Sequence, residues 1–511
     1  MIIYIPLKIK QLRKEIASFL AMTTKMSAEE IANKLWNLCN VLRDDGVTYH
    51  QYLNELTYIL FLKLSDVKDF SEHIPEEYRW QTFVNETDNA EAFVKYREFL
   101  ATVSNKTTSD SIKEIYNDAS TSLRKPVNFR TLVAAIDKLD WYEEDDRDVM
   151  GDIYESLLEK NAGEKKSGAG QYFTPRPLIN IMVDLMVPKL GERWNDPAAG
   201  TFGFMISADY YLRSKYDSYY HLSEKDRKFQ VEEAFSGVEL VGDAHRLALM
   251  NARLHGMESR IYFGDTLTEF GKSLNGFDGV LANPPFGTKQ GGERPTRDDF
   301  TFPTSSKQLN FLQHIYRSLK KDGKARAAVV LPDNVLFEDG DGQKIRRDLM
   351  DKCNLHTILR LPTGIFYAAG VKTNVLFFTR GKTETDNTKN VWFYDMRTNT
   401  PNYGKRTPFT EKAFEAFVLA YTGGISFDQV EAKYNGLVSD EKRKQIKDDR
   451  WQCISREDIA KKNYSLDLGL IADSSLSNSD DLGEPIDIAK QAMQELDSIK
   501  EQLQAMINEL K

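Results

Sequence analysis

From about residue 150 the chain alternates short β-rich apolar runs with helix-patterned segments, and this alternation narrows the fold more than any other property of the sequence. The candidate strands are Ala234–Leu240, Arg260–Phe263, Gly279–Ala282, Ala327–Leu331, Thr357–Leu361, Asn374–Thr379 and Val391–Tyr394. Helical patterns lie between several of them, at Pro177–Met186, Asp243–His255 and Lys307–Leu319. Runs that are apolar on successive residues fit strands buried on both faces, so the expectation is an α/β sheet with helices on both sides. Residues 380–460 are mixed and charged and give no clear order.

The rest of the chain has a different texture. Ser27-Ala28-Glu29-Glu30 reads as a capping box, followed at helical spacing by Ile31, Leu35, Leu38 and Leu42. Thr48-Tyr49-His50-Gln51 is a second one, ahead of Leu53, Leu56, Leu60 and Leu64. Residues 26–150 are therefore predicted to form a helical N-terminal domain, with 1–25 as an appendage and 151–472 as the α/β domain. Residues 473–484 (DSSLSNSDDLGE) read as a polar, acidic linker. Beyond Pro485, Ala489, Ala492, Leu496, Ile499, Leu503, Met506 and Leu510 alternate in steps of 3 and 4, a heptad seam suited to a partner helix.

Charge and cysteine content bound the function. The formal net charge is −9, so the chain as a whole repels a polyanion. Action on nucleic acid would need a local basic surface or a basic partner. Cys39, Cys353 and Cys453 are too scattered for a disulfide scaffold or a CxxC zinc site, which predicts a reducing, cytoplasmic setting. No uncharged apolar run is long enough to suggest a membrane span. The histidines show no metal-binding spacing, so no metal is expected. Gly271-Lys272-Ser273 resembles the end of a phosphate-binding loop, but the preceding glycine is at the wrong interval.

The strongest chemical signal is Asn283-Pro284-Pro285-Phe286, which directly follows the apolar run Gly279–Ala282. That places it at the C-terminal end of a buried strand, where open α/β sheets bind ligands. The pattern suits methylation of an exocyclic amine. Such a nitrogen is a poor nucleophile because its lone pair is delocalised into the base. Two acceptors gripping both N–H bonds, the Asn283 side-chain oxygen and the Pro284 carbonyl, would localise that pair. Pro284 and Pro285 stiffen the turn and remove competing donors. Phe286 offers a face for an extruded base.

Four further motifs suit a nucleoside cofactor without phosphates, such as S-adenosylmethionine. Asp196-Pro197-Ala198-Ala199-Gly200-Thr201-Phe202-Gly203-Phe204 is a glycine turn with no phosphate-binding lysine. Asp196 is placed to hold a cationic amino-acid end. Glu239, in Gly237-Val238-Glu239-Leu240, sits where an acid accepts ribose hydroxyls. The interval from Gly200 is about twice the usual ~20 residues, so an insertion or extra helix is expected near residues 211–230. Asp265 in Gly264-Asp265-Thr266-Leu267 is placed to accept the adenine amino group. In Gly170-Gln171-Tyr172-Phe173-Thr174-Pro175-Arg176-Pro177, Thr174 is expected to cap the helix that follows, while its backbone and the aromatic pair close over the methionine end.

The order QYFTP, DPAAGTFGF, GVEL, GDT, NPPF resembles the amino-methylating DNA methyltransferases of the gamma arrangement. It is closer still to the modification subunits of type I restriction-modification systems. KQLNFLQHI, AAVVLPDNVLF and VWFYDMRTN support the resemblance, which spans roughly residues 28–470. It implies a Rossmann-like S-adenosylmethionine-dependent methyltransferase domain, with an all-helical N-terminal domain and a C-terminal helix for subunit assembly. It implies methylation of adenine N6 in DNA chosen by a separate specificity subunit, with a second modification subunit and a restriction subunit in the full complex. The resemblance also marks Gln171, Tyr172, Phe173, Thr174, Pro175, Arg176, Asp196, Ala198, Gly200, Thr201, Gly203, Glu239 and Asp265 as cofactor-binding. A stand-alone enzyme on adenine N6 or cytosine N4, and a catalytically silent scaffold, are the alternatives. Phe202 replaces a residue that is small in many relatives, which implies crowding at the cofactor turn. Gly287–Arg297, with Lys289, Arg294 and Arg297 against Glu293, is a candidate contact to the DNA backbone.

Overall fold

The apolar runs pair into a mixed nine-stranded sheet in the order β3-β2-β1-β4-β5-β7-β6-β8-β9. The strands are β1 (Trp194–Asp196), β2 (Phe235–Glu239), β3 (Arg260–Phe263), β4 (Gly279–Ala282), β5 (Arg326–Pro332), β6 (Cys353–Arg360), β7 (Thr373–Arg380), β8 (Asn390–Asp395) and β9 (Trp451–Ser455). This is a computed structural model, and it describes residues 28–467 apart from 45, 48, 68–72, 140–152, 155, 158–159, 161–173, 288–293, 296, 367–370, 401–402, 404–406, 427–428 and 430–436. The extension 1–25, Ser27, Thr48, the linker 473–484 and the heptad segment 485–511 lie outside the described residues.

Strands β3, β2, β1, β4 and β5 are parallel, and β7 inserts antiparallel between β5 and β6. The chain leaves β1 toward β2 and β3, then returns to the other side of β1 as β4 and β5. This reversal opens a crevice at the C-terminal ends of β1 and β4. Alternate residues feed two apolar layers, as the period of a strand demands. On β5, Ala328 and Val330 face one layer, and Ala327, Val329 and Leu331 the other. The first layer is covered by α8 (Arg176–Met186), α9 (Gly203–Lys215) and α11 (Gly242–Leu254). The second is covered by α13 (Lys307–Ser318), α14 (Asn334–Phe337) and α15 (Asp341–Lys352).

Ahead of the sheet come α1 (Ala28–Asn37), α2 (Cys39–Asp44), α3 (Tyr49–Val67), α4 (Trp80–Asn85), α5 (Asn89–Lys106), α6 (Asp110–Ile115) and α7 (Pro126–Asp137). Their core is aromatic: Tyr96 stacks on Phe129 at 4.5 Å and Phe99 meets Tyr116 edge-on at 4.9 Å. It runs without a break into the layer under α8, α9 and α11. Arg246 on α11 makes the polar connection. Its guanidinium donates to the carbonyls of Ile115 (2.9 Å) and Asn117 (3.0 Å) and lies 5.4 Å from the Tyr58 ring.

Among the described residues the seven candidate strands and the three helical patterns between them are present, Arg260–Phe263 and Gly279–Ala282 with the same ends and the others with shifted ones. Two strands were missed. Strand β1 is three residues long with two polar members, and it is a strand because β2 and β4 pair with it on either side. Strand β9 lies in the stretch 380–460 that gave no clear order, where the buried Arg443 takes the place of a periodic apolar pattern. Arg443, on α17 (Asp440–Arg443), sits 5.5 Å from Trp392, 5.2 Å from Tyr421 and 4.9 Å from Trp451. Tyr421 ends α16 (Glu415–Tyr421). Among the described residues no helix is long and apolar enough to cross a membrane.

Strand β1 can approach β4 closely because Gly279 has no side chain: a Cβ there would overlap the fully buried Trp194 ring. Gly279→Ala should therefore cost about 1–3 kcal/mol by overpacking. Equilibrium denaturation would show it as a lowered midpoint, and an unchanged midpoint would refute the close approach.

Candidate active site

Asn283 follows the last residue of β4, so the strand itself delivers its side chain to the crevice. Its Nδ2 donates to Thr174 Oγ1 at 3.0 Å. Its Oδ1 is enclosed and has no hydrogen-bond partner among the described residues. A buried acceptor left unpaired costs about 1–3 kcal/mol, a cost that an incoming N–H would remove. Pro284 is buried, and Phe286 is half-buried against the core. The loop is then pinned to the start of α13: Gly287 N donates to Gln308 Oε1 at 3.0 Å, and Lys307 N to Gly287 O at 3.0 Å.

Thr174 does not cap its helix, contrary to the sequence expectation. The cap position falls to Pro175, with no side-chain bond. Pro177, in the first turn, has no N–H to be capped, and the Leu178 N–H bonds to the Pro175 carbonyl at 2.9 Å. The threonine hydroxyl is thereby released for Asn283. Gln171, Tyr172 and Phe173 lie outside the described residues. Arg176 begins α8, and its Nη1 would lie 4.0 Å from a Cβ at Gly203.

The glycine turn is built from the end of β1. Asp196 is buried and accepts from Ala198 N at 3.0 Å. Gly200 adopts φ +54° and donates its N–H to Glu239 Oε2 at 2.8 Å. The Thr201 carbonyl accepts from Asn251 Nδ2 on α11 at 2.9 Å. Phe202 is left-handed at φ +68°, which costs a non-glycine residue about 1–2 kcal/mol. Its ring is fully buried, worth about 1.5–3 kcal/mol, and it lies over Gly237, where a Cβ would come within 2.9 Å of it. The implied crowding is thus relieved by Gly237, because the ring turns onto β2.

Glu239, at the tip of β2, uses its other oxygen to accept from Val241 N at 2.8 Å. The long interval before it holds an extra helix, α10 (Glu224–Glu232). Asp265, just past β3, accepts from Leu267 N at 2.8 Å, and Thr266 Oγ1 donates to the Pro197 carbonyl at 2.6 Å. These bonds join the turns after β1, β2 and β3 into one rim. Leu240, Phe263 and Phe270 stand exposed along it, and the last belongs to α12 (Glu269–Ser273). Leu240 closed the GVEL motif and Phe263 a candidate strand, but neither was given a role, and Phe270 lay outside the motifs.

Arg297 drops out of Gly287–Arg297 as a candidate DNA contact. It is buried, bonds Asp299 through two nitrogens, and donates to the Thr266 carbonyl at 2.9 Å and to His314 Nδ1 at 3.0 Å. It braces the rim from behind. Arg294 is exposed, while Lys289 lies outside the described residues.

Burial pushes the Asp196 carboxyl up to about 8, with the Ala198 amide opposing and Glu239 adding to the rise. Burial also raises Glu239, against the amides of Val241 and Gly200. An unfolded aspartate ionises near 3.8. Between that pH and about 8 the folded chain holds a proton that the unfolded chain has released, so stability falls as pH rises through this window. Asp196→Asn should flatten that fall. Denaturation of both proteins at pH 5 and pH 8 tests it, and parallel losses would show that Asp196 is not the group responsible.

Comparison with known proteins identifies the architecture. Residues 145–479 match the family described as N-6 DNA Methylase, and residues 31–139 match the HsdM N-terminal domain. The type I restriction enzyme StySPI methylase subunit of Salmonella potsdam is 44% identical over 95% of this chain and 96% of its own length. The EcoKI methylase subunit of Escherichia coli (strain K12) is also 44% identical, with the same coverage. The crystal structure of the EcoKI M protein superposes with a TM-score of 0.53 at 40% identity, over 94% of this chain and 96% of that one. A chain from a structure of type I restriction-modification complex assembly gives 0.71 at 26% identity, over 95% and 100%. The chain therefore belongs to the methylase, or modification, subunits of type I restriction-modification enzymes, which are adenine-specific DNA methyltransferases.

Proposed function

We propose that the crevice at the ends of β1 and β4 is where this subunit transfers a methyl group to adenine N6, and that the unpaired Asn283 Oδ1 is the acceptor for the target amine. That orphan oxygen is the observation on which the reading rests. It is enclosed, so the target base, flipped from the duplex, reaches it only when the surrounding chain gives way. Asn283 Oδ1 and the Pro284 carbonyl take the two N6 hydrogens and localise the nitrogen lone pair. Phe286, half-buried against the core, offers its ring for stacking with the base. Alignment and electrostatic complementarity carry the rate, and the proton lost from N6 passes through these acceptors to water.

The donor chemistry of the rim fits S-adenosylmethionine, which when bound supplies the electrophilic methyl on its sulfonium. Asp196 and Glu239 are two buried carboxyls with no cationic side chain among the described residues bonded to either, suited to an ammonium group and a ribose. Each Glu239 oxygen accepts one amide and retains a lone pair for a hydroxyl. Asp265 takes the adenine amino group, with Leu240, Phe263 and Phe270 as apolar cover. The backbone at Thr174, with Gln171–Arg176, closes over the methionine end, and the turn at Ala198, Gly200, Thr201 and Gly203 permits close approach.

In this reading the acidic chain relies on a specificity subunit to read DNA. A second modification subunit and a restriction subunit complete the assembly. Residues 485–511 pack on a helix of the specificity subunit. Removing them should weaken co-purification with that subunit and leave cofactor affinity unchanged; undiminished assembly would rule the segment out. Asn283→Ala in the assembled complex should lower methyl transfer by at least about 10²–10³-fold. Its affinity for S-adenosylmethionine, measured by calorimetry, should not change. Transfer at the wild-type rate would take Asn283 out of the chemistry.

A further inference from the structure

The target-base segment contains two residues that cannot donate from their own backbone, because Pro284 and Pro285 have no N–H. The backbone beside Phe286, whose ring takes the base, is held at the next residue, Gly287. That residue adopts φ +110°, and a Cβ there would meet nothing within 4 Å. The glycine is thus needed for its conformation and not for room. A glycine takes either sign of φ about equally, so Gly287 by itself fixes nothing. The choice is made by the groups that bond to it.

Those groups stand at the start of α13. Gly287 N donates to Gln308 Oε1 at 3.0 Å, and Lys307 N donates to Gly287 O at 3.0 Å. The two bonds hold the peptide units on either side of Gly287, and the first of these carries the Phe286 carbonyl. A backbone N–H can only donate, so the oxygen of the Gln308 amide must face it, and the pairing has one sense. The contact is reciprocal. Lys307 N is one of the amides that a helix start leaves open, and Ser306, at the cap position, makes no side-chain cap bond. Gly287 supplies the missing acceptor. Gln308 is buried, although glutamine is mostly an exposed residue. We propose that Gln308 is a positioning residue for the target base: with the Lys307 amide it locks Gly287 at positive φ, and so sets the angle at which the Phe286 ring meets the extruded adenine. This rests on Phe286 stacking the base, as described above. Gln308 acts through Phe286 and not on the base itself.

The test uses the assembled complex. Gln308→Met keeps the length of the side chain and removes the acceptor. Gln308→Glu keeps an acceptor at a helix start, where an acid is favoured. Single-turnover methyl transfer is measured at saturating cofactor and DNA, for each variant alone and in a Phe286→Ala background, with S-adenosylmethionine affinity read by calorimetry. Gln308→Met should slow transfer about three- to tenfold, the weight of one neutral hydrogen bond. Its cofactor affinity should not change, and Gln308→Glu should restore most of the rate. In the Phe286→Ala background the methionine substitution should add less than about twofold, because its route to the base is already gone. A methionine variant with full transfer, or one whose loss is undiminished in the Phe286→Ala background, would overturn the proposal. So would a folded glutamate variant as slow as the methionine variant. Phe286→Ala alone separates the two levels. If it transfers at the wild-type rate, the stacking reading of the site fails. If it is slow while Gln308→Met is fully active, only the role of Gln308 fails.

Discussion

The site depends on a three-residue strand. Trp194, Asn195 and Asp196 pair with β2 on one side and β4 on the other, and so hold the two halves of the sheet together where the chain reverses direction. So short a strand holds its place by close packing. Trp194 lies flat over Gly279, and Ala199 and Phe202, just past the strand, close onto Gly237. Both contacts need a glycine on the neighbouring strand. The turn that follows is closed by the Glu239 carboxylate on the Gly200 amide, a charge-assisted bond across the top of β1 and β2.

Around this frame the loops are fixed mainly by buried polar groups. Helix α13 is the main source. Gln308 holds Gly287, Asn310 holds both backbone groups of Thr304, Gln313 does the same for Phe302, and His314 accepts from Arg297. Burial and the neighbouring guanidinium push His314 down to about 3, so it stays neutral and can accept. Each such bond contributes only about 0.5–1.5 kcal/mol net, yet an unmade one costs more. The consequence is precision of placement: the loop carrying the target-base residues has few alternative positions.

How much of this was legible in the sequence followed the range of the interactions. Strands buried on both faces announced themselves as apolar runs, and NPPF, DPAAG and GVEL announced themselves through local turn chemistry. Strand β1 did not, because its status comes from its neighbours. The stretch containing β9 did not, because one arginine among three aromatic rings leaves no periodic trace. KQLNFLQHI was recognisable as a helix, but nothing in it said that its amides clamp loops. The bond between Thr174 and Asn283 joins residues 109 apart, and the proline-rich helix start pointed to a cap instead. Phe202 looked like an obstruction only because Gly237 could not be seen beneath it.

The helix α11 begins three residues after Glu239 and carries Arg246 in its second turn. Its first intrahelical bond, from His245 N to the Val241 carbonyl at 2.9 Å, starts at the residue whose amide holds Glu239. At the same point the guanidinium of Arg246 grips the end of α6. The N-terminal helices and the Glu239 carboxylate are thus both fastened to the start of one short helix. Between the end of α6 and Glu239 there stands, at this junction, a helix of 13 residues and no loop, so the helical unit and the turn after β2 share one rigid element.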